Sequence, residues 1–219
     1  MDTIITILAR ELGRDPGHVE NVVKLIDEGN TIPFIARYRK ELHGAMDDTA
    51  LRALADRLQY LRNLDKRREE VKASIESQGK LTEALSSAID AAATLAEVED
   101  LYLPYKPKRR TRATMAREKG LEPLAEALFA KGSPVDPAAL AEGFLDPEKG
   151  VETVDDALQG ASDIIAEAVS DDAAVRKALR ELYLRRGALV SRAAEDEPAD
   201  TVYRLYYDFT APVSRVQGH

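Results

Sequence analysis

The stretch TALRALADRLQYLRNLDKRREEVKASIESQ, Thr49 to Gln78, decides the fold. Leu51, Leu54, Leu58, Leu61 and Leu64 recur at steps of three and four, and Val71 and Ile75 resume the stripe. That spacing lines up apolar side chains on one face of a 3.6-residue turn. No Pro or Gly interrupts the run. At about 1.5 Å per residue it predicts a helix roughly 45 Å long, well beyond the usual globular helix. Such a helix reads as a spine against which shorter helices lie.

Upstream of the spine, Asp2 caps a first helix carrying Ile4, Ile5, Leu8 and Leu12 and stopped by Gly13. Asp15 and Pro16 open a second helix, with Val19, Val22, Val23 and Ile26 as its buried stripe. Thr31-Ile32-Pro33 opens a short third helix on which Phe34, Ile35, Tyr38 and Leu42 cluster on one side. Its cations Arg37, Arg39 and Lys40 flank that stripe, and a structural role, anchoring the helix among its neighbours, outweighs a binding one.

Downstream, Thr82 caps a helix through Leu85, Ala88 and Ile89, and Thr94 with Glu97 forms a capping box leading to Leu101. Pro104 and Pro107 predict an extended segment, followed by a helix over 112–119 closed by Gly120. Short Ala-rich, Asp-capped helices are expected over 122–131, 137–142, 153–170 and 172–186. The tail from Leu189, with Tyr203, Leu205, Tyr206, Tyr207 and Phe209, reads as an amphipathic packing segment.

Composition agrees with helices. Hydrophobic residues make up 44% but aromatics only 5%, with no Trp, so the core is built of Ala, Leu, Ile and Val. The fold class is therefore all-α: a long-helix scaffold with a small inserted subdomain. Three segments are expected: a helical scaffold over 1–120, a small acidic subdomain over 121–187, and a return segment over 188–219.

The 219 residues contain no Cys, which removes disulfides, thiolate metal sites and a cysteine nucleophile and suits a reducing cytoplasm. No apolar run is long enough to span a membrane, and Met1-Asp2-Thr3-Ile4-Ile5 lacks a signal-peptide pattern. A cytoplasmic protein is expected.

The catalytic candidates fail individually. Gly79-Lys80 is followed by Leu81, and the earlier Gly of a phosphate loop falls on Ser74. His18, His43 and His219 have no metal-ligand spacing. The pairs Asp47-Asp48, Asp155-Asp156 and Asp171-Asp172 sit at helix starts, where they cap free N–H groups. No catalytic residue, metal or cofactor is expected, and the chain is read as no enzyme.

Charge is the remaining signal. The net charge is −8, the wrong sign for a freestanding nucleic-acid binder. Yet residues 106–119 (KPKRRTRATMAREK) hold seven Lys/Arg and one Glu, while residues 120–172 hold thirteen Asp/Glu and two Lys. The basic strip Lys106, Lys108, Arg109, Arg110, Arg112, Arg117 and Lys119 is the candidate nucleic-acid contact, able to neutralise phosphates in a salt-sensitive, sequence-independent way. The competing reading pairs these cations with the acidic helices that follow. Arg176, Lys177 and Arg180, late in the helical series, form a secondary candidate at what would be a recognition helix.

Gly29-Asn30-Thr31-Ile32-Pro33-Phe34-Ile35-Ala36-Arg37-Tyr38-Arg39-Lys40-Glu41 resembles the N-terminal signature of the bacterial Tex family of transcription accessory proteins. Tyr102 through Gly120, with Leu121-Glu122-Pro123-Leu124-Ala125, resembles a second signature. Ala157 through Glu167, and Tyr206-Tyr207-Asp208-Phe209, are looser matches. His43 departs from the pattern, which usually has Thr there.

The resemblance implies an RNA-binding transcription accessory factor, similar to a eukaryotic elongation factor that works with RNA polymerase. It also implies a helix-turn-helix-like module within the 121–187 segment. Family members continue into a nuclease-like domain, helix-hairpin-helix elements and an S1 domain, and the chain ends about where the nuclease-like domain would begin. The expected partners are nucleic acid, RNA or DNA, through phosphates, with RNA polymerase and the downstream domains as further candidates and no membrane. The alternative is a protein-interaction module that docks on polymerase or on downstream domains without touching nucleic acid.

Overall fold

The computed structural model describes residues 4–107, 110–130, 136–194 and 201–216. Among them lie eleven α-helices and one two-stranded sheet, an all-α fold. The chain divides into two compact units, Met1–Val98 and Glu99–His219.

The first unit is organised by α4, Asp48–Glu76, which is 29 residues and therefore about 43 Å long. Asp47 caps it by accepting from Ala50 N at 2.8 Å. Leu51, Leu54, Leu58, Leu61, Leu64, Val71 and Ile75 are all buried, as their spacing requires. The first four meet Leu8 of α1 (Ile4–Leu12), Val19, Val22 and Leu25 of α2 (Pro16–Asp27) and Ile35 of α3 (Ile32–Tyr38) in one core. Each such leucine contributes roughly 2 kcal/mol by leaving water.

Two bidentate pairs tie these helices to the spine. Arg57 grips Glu11 at 2.7 and 2.8 Å, and Arg62 grips Asp27 at 2.7 and 2.8 Å. Farther along the spine, Arg68 donates to Ala92 O at 2.7 Å and Lys72 to Asp90 at 2.9 Å. These hold α5, Glu83–Ala91, which Thr82 caps. The cap assigned to Asp2 lies outside the described residues.

The second unit holds α7 (Arg112–Glu118), α8 (Glu122–Phe129), α9 (Pro137–Ala141), α10 (Val154–Asp171) and α11 (Ala173–Arg186). The preceding α6, Leu95–Tyr102, contains the division between units. The second core is small-residue packing: Ala113, Ala116, Leu121, Leu124, Ala125, Ala157, Ala161 and Ile164. Gly160 shows how close the helices come. A Cβ there would stand 2.3 Å from Leu121 Cδ1 and 3.3 Å from Ala116 Cβ. Because Ala113 and Ala116 pack into this core, residues 99–120 group with the acidic helices, so the units part at 98/99 where the sequence reading drew its boundary at 120.

Three further elements differ from the sequence reading. Leu103–Tyr105, expected to be extended, forms a 3-10 turn, since the proline occupies a position where no backbone donor is needed. Tyr38, expected on the packed side of α3, is 56% exposed, because the helix ends there and only Ile35 is fully buried. The tail forms an antiparallel hairpin. β1, Ala188–Arg192, pairs with β2, Asp208–Pro212, with Val190 opposite Thr210. Tyr203, Leu205 and Tyr206 of that tail are 67%, 84% and 52% exposed.

Candidate nucleic-acid interface

Thr111 caps α7, its Oγ1 accepting from Thr114 N at 3.0 Å and donating to Glu167 Oε1 at 3.0 Å. This sets α7 beside α10 and brings Arg117, in the last turn of α7, to Glu167 Oε2 at 2.6 Å. Arg117 Nε also donates to Glu122 at 3.2 Å. The hydrogen bond Arg117 donates to Glu167, opposed by burial and aided by both carboxylate charges, raises the Arg117 pKa above its ordinary value.

The remaining strip residues are engaged to different degrees. Arg110 donates to Glu118 at 2.6 Å, with both side chains exposed. Arg112 lies 3.7 Å from Asp163 and is 80% exposed. Lys119 Nζ donates to Gly150 O at 2.7 Å. Lys106 is exposed at the rim of a cleft of about 570 Å³ shared with Pro104, Thr114, Arg117 and Glu167, and its side chain has no ion pair among the described residues. Lys108 and Arg109 lie outside the described residues.

The secondary set forms a clamp. Arg176 Nε donates to Asp100 Oδ1 at 2.7 Å, and Arg180 Nη2 donates to Asp100 Oδ2. Asp100 is only 4% exposed. Burial alone would raise its pKa, but the hydrogen bonds from Arg180 and Arg176 outweigh that and hold the carboxyl below its ordinary range. Arg176 Nη1 also reaches Ser170 O at 3.2 Å. Lys177 is exposed on α11. Two of the three secondary candidates are thus turned onto a buried carboxylate. Asp100 was not legible as their partner, since 76 and 80 residues separate it from them.

Asp47, Asp156 and Asp172 each cap a helix, Asp156 within a capping box with Thr153. No group of three or more His, Asp or Glu among the described residues could hold a metal ion. No helix among them is long and apolar enough to cross a membrane.

These features define an all-α protein in whose basic segment Arg112 and Arg117 face carboxylates of α10. The chain belongs to the Tex family: residues 2–76 match the Tex-like protein N-terminal domain and residues 133–219 the Tex central region-like family. It is 47% identical over 217 residues to Protein tex of Bordetella pertussis, covering 99% of this chain and 27% of the relative. It is 42% identical over 217 residues to Transcriptional accessory protein Tex of Neisseria gonorrhoeae, covering 99% and 28%. To S1 RNA-binding domain-containing protein 1 of Homo sapiens it is 30% identical over 225 residues, covering 99% and 22%. The chain therefore spans less than a third of the length of these curated relatives.

Proposed function

We propose that this chain is a scaffold region of an RNA-binding transcription accessory protein, acting by docking and not by catalysis, in the cytoplasm. The names of the Neisseria and human relatives support the setting. The observation that carries the scaffold role is Arg117, held between Glu167 and Glu122 with Arg110, Arg112 and Lys119 also engaged inside the unit. A guanidinium already paired with carboxylates has little left for phosphates, and the strip works as a brace. Docking is supported by α11, which has no fully buried residue. With the hairpin it exposes Leu182, Tyr183, Leu184, Leu189 and Val190, apolar side chains that a docking partner would cover. Other parts of the longer protein, or RNA polymerase, are its proposed occupants, and the 121–187 segment acts there as a helix-turn-helix-like module.

A second reading, auxiliary nucleic-acid contact through the strip, is favoured by Lys106, which has no ion pair among the described residues, and by the exposure of Arg112. Electrophoretic mobility of short RNA and DNA at two salt concentrations separates the two. Under the brace reading, charge reversal at Arg110 and Arg112 leaves retardation unchanged, whereas Arg117→Ala lowers stability by about 1 kcal/mol. Loss of a steeply salt-dependent retardation in the charge-reversed variant would overturn it.

A further inference from the structure

The short helix α3 and the turn after it carry several features that are costly for stability. Ala45 holds φ at 56° and Gly44 at 58°, both in the left-handed region. His43 is 1% exposed, and neither of its ring nitrogens has a hydrogen-bond partner among the described residues. The left-handed Ala45 and the unpartnered His43 ring each cost on the order of 1–3 kcal/mol, whereas Gly44 takes its φ freely. They persist because the turn is pinned from below: Met46 is buried, Leu42 packs on the same core, and Asn21 Nδ2 donates to Leu42 O at 3.2 Å. Strain of this kind, held by its surroundings, gathers where a surface must be presented in one fixed shape.

What the pinned segment presents is an exposed ring with exposed cations one residue before it and two residues after it in the chain. Tyr38 is 56% exposed, its ring tilted at 46° to that of Phe34, whose centroid is 5.2 Å away. The Arg39 guanidinium lies 5.2 Å from the Phe34 centroid, and its Nη1 donates to Tyr38 O at 3.1 Å. Arg37 and Lys40 are exposed, and neither side chain has a hydrogen bond or ion pair among the described residues. The nearby acids in sequence are largely committed. Asp47 caps α4, Asp48 pairs with Arg52 at 2.6 Å, and Glu41 is exposed.

We propose that Arg37, Tyr38 and Lys40 form a contact for single-stranded nucleic acid, with the outer face of Tyr38 stacking one base and the two cations meeting flanking phosphates. A solvent-facing ring with exposed cations close by in the chain is the chemistry by which unpaired bases are held without regard to sequence. A duplex would offer the ring no open base face. An acidic peptide would engage the cations but draw nothing from the ring. The proposal does not depend on the strip at 106–119, where Arg110, Arg112 and Arg117 face carboxylates of their own unit.

The test is fluorescence anisotropy of a labelled oligouridylate and of the matching oligothymidylate with the 219-residue chain, across a salt series. Wild type binds at low salt with a slope of log K on log[salt] near −1.4, two phosphates on a single strand. Tyr38→Ala weakens binding about tenfold, whereas Tyr38→Phe, which keeps the ring, binds like wild type. Arg37→Ala/Lys40→Ala flattens the slope toward zero. All these positions are exposed, and unchanged melting curves confirm folding. Equal affinity for RNA and DNA supports stacking plus phosphate contact alone; an RNA preference supports it with an added ribose contact. No binding of either strand by wild type overturns the proposal and leaves the scaffold reading standing. Binding that survives Tyr38→Ala but is lost on charge reversal at Arg110 and Arg112 overturns both it and the brace. Displacement by oligoglutamate as effective as by oligonucleotide also overturns it.

Discussion

The cations of the second unit and those of α3 and the turn after it look alike in sequence and behave differently in the fold. Arg176 and Arg180 converge on Asp100, and Arg117 sits between Glu167 and Glu122. Arg37 and Lys40 are exposed and pair with nothing among the described residues. The difference lies in what surrounds each set. α7 and α11 share a unit with residues 120–172, the most acidic part of the chain, whereas α3 is pinned by apolar contacts. A basic run is therefore poor evidence of an open binding surface until its local carboxylates are accounted for.

The clamp offers the sharpest way to break this comparison. Arg176→Ala/Arg180→Ala leaves Asp100 buried without a partner and is expected to lower the unfolding free energy by about 3 kcal/mol in denaturant melts. Arg37→Ala/Lys40→Ala should stay within roughly 0.5 kcal/mol of wild type. Equal effects from the two double variants would erase the distinction. Gly44→Ala comes next. Its Cβ would stand 2.4 Å from His18 Nδ1 at a φ of 58°, and a loss of about 1–2 kcal/mol is expected in thermal unfolding. The smallest effect is in acid. The Asp100 pKa is lowered in the folded chain, so its contribution is complete above the ordinary carboxylate range near about pH 4 and is lost as pH falls through the folded value. Melting temperature should thus drop more between pH 7 and pH 3 in wild type than in Arg176→Ala/Arg180→Ala.

Much of the fold was legible because it is local. The leucine ladder of α4, the Asp15 and Thr82 caps and the prolines at first-turn positions depend on residues within four of one another. The hairpin was missed because ALVSR and DFTAP are short, lie fifteen residues apart, and have no two-residue turn between them to announce pairing. The site was half legible. Sequence located the cations of 106–119 and named the acidic helices as possible partners. It could not choose between them, since that depended on α7 lying beside α10. The exposure of Tyr38 was illegible because the period of α3 predicts burial until one knows that the helix ends at that residue.

The spine has a mechanical consequence. In 29 residues it has no proline or glycine at which to bend, and its two stretches hold different helices, α1 to α3 through the leucines and α5 through Arg68 and Lys72. A stiff rod gripped at both ends cannot absorb a tilt locally. Any rocking of α4 that shifts α3 must swing the grip on α5 as well, so the first unit answers a force at one end as a lever does, by motion at the other.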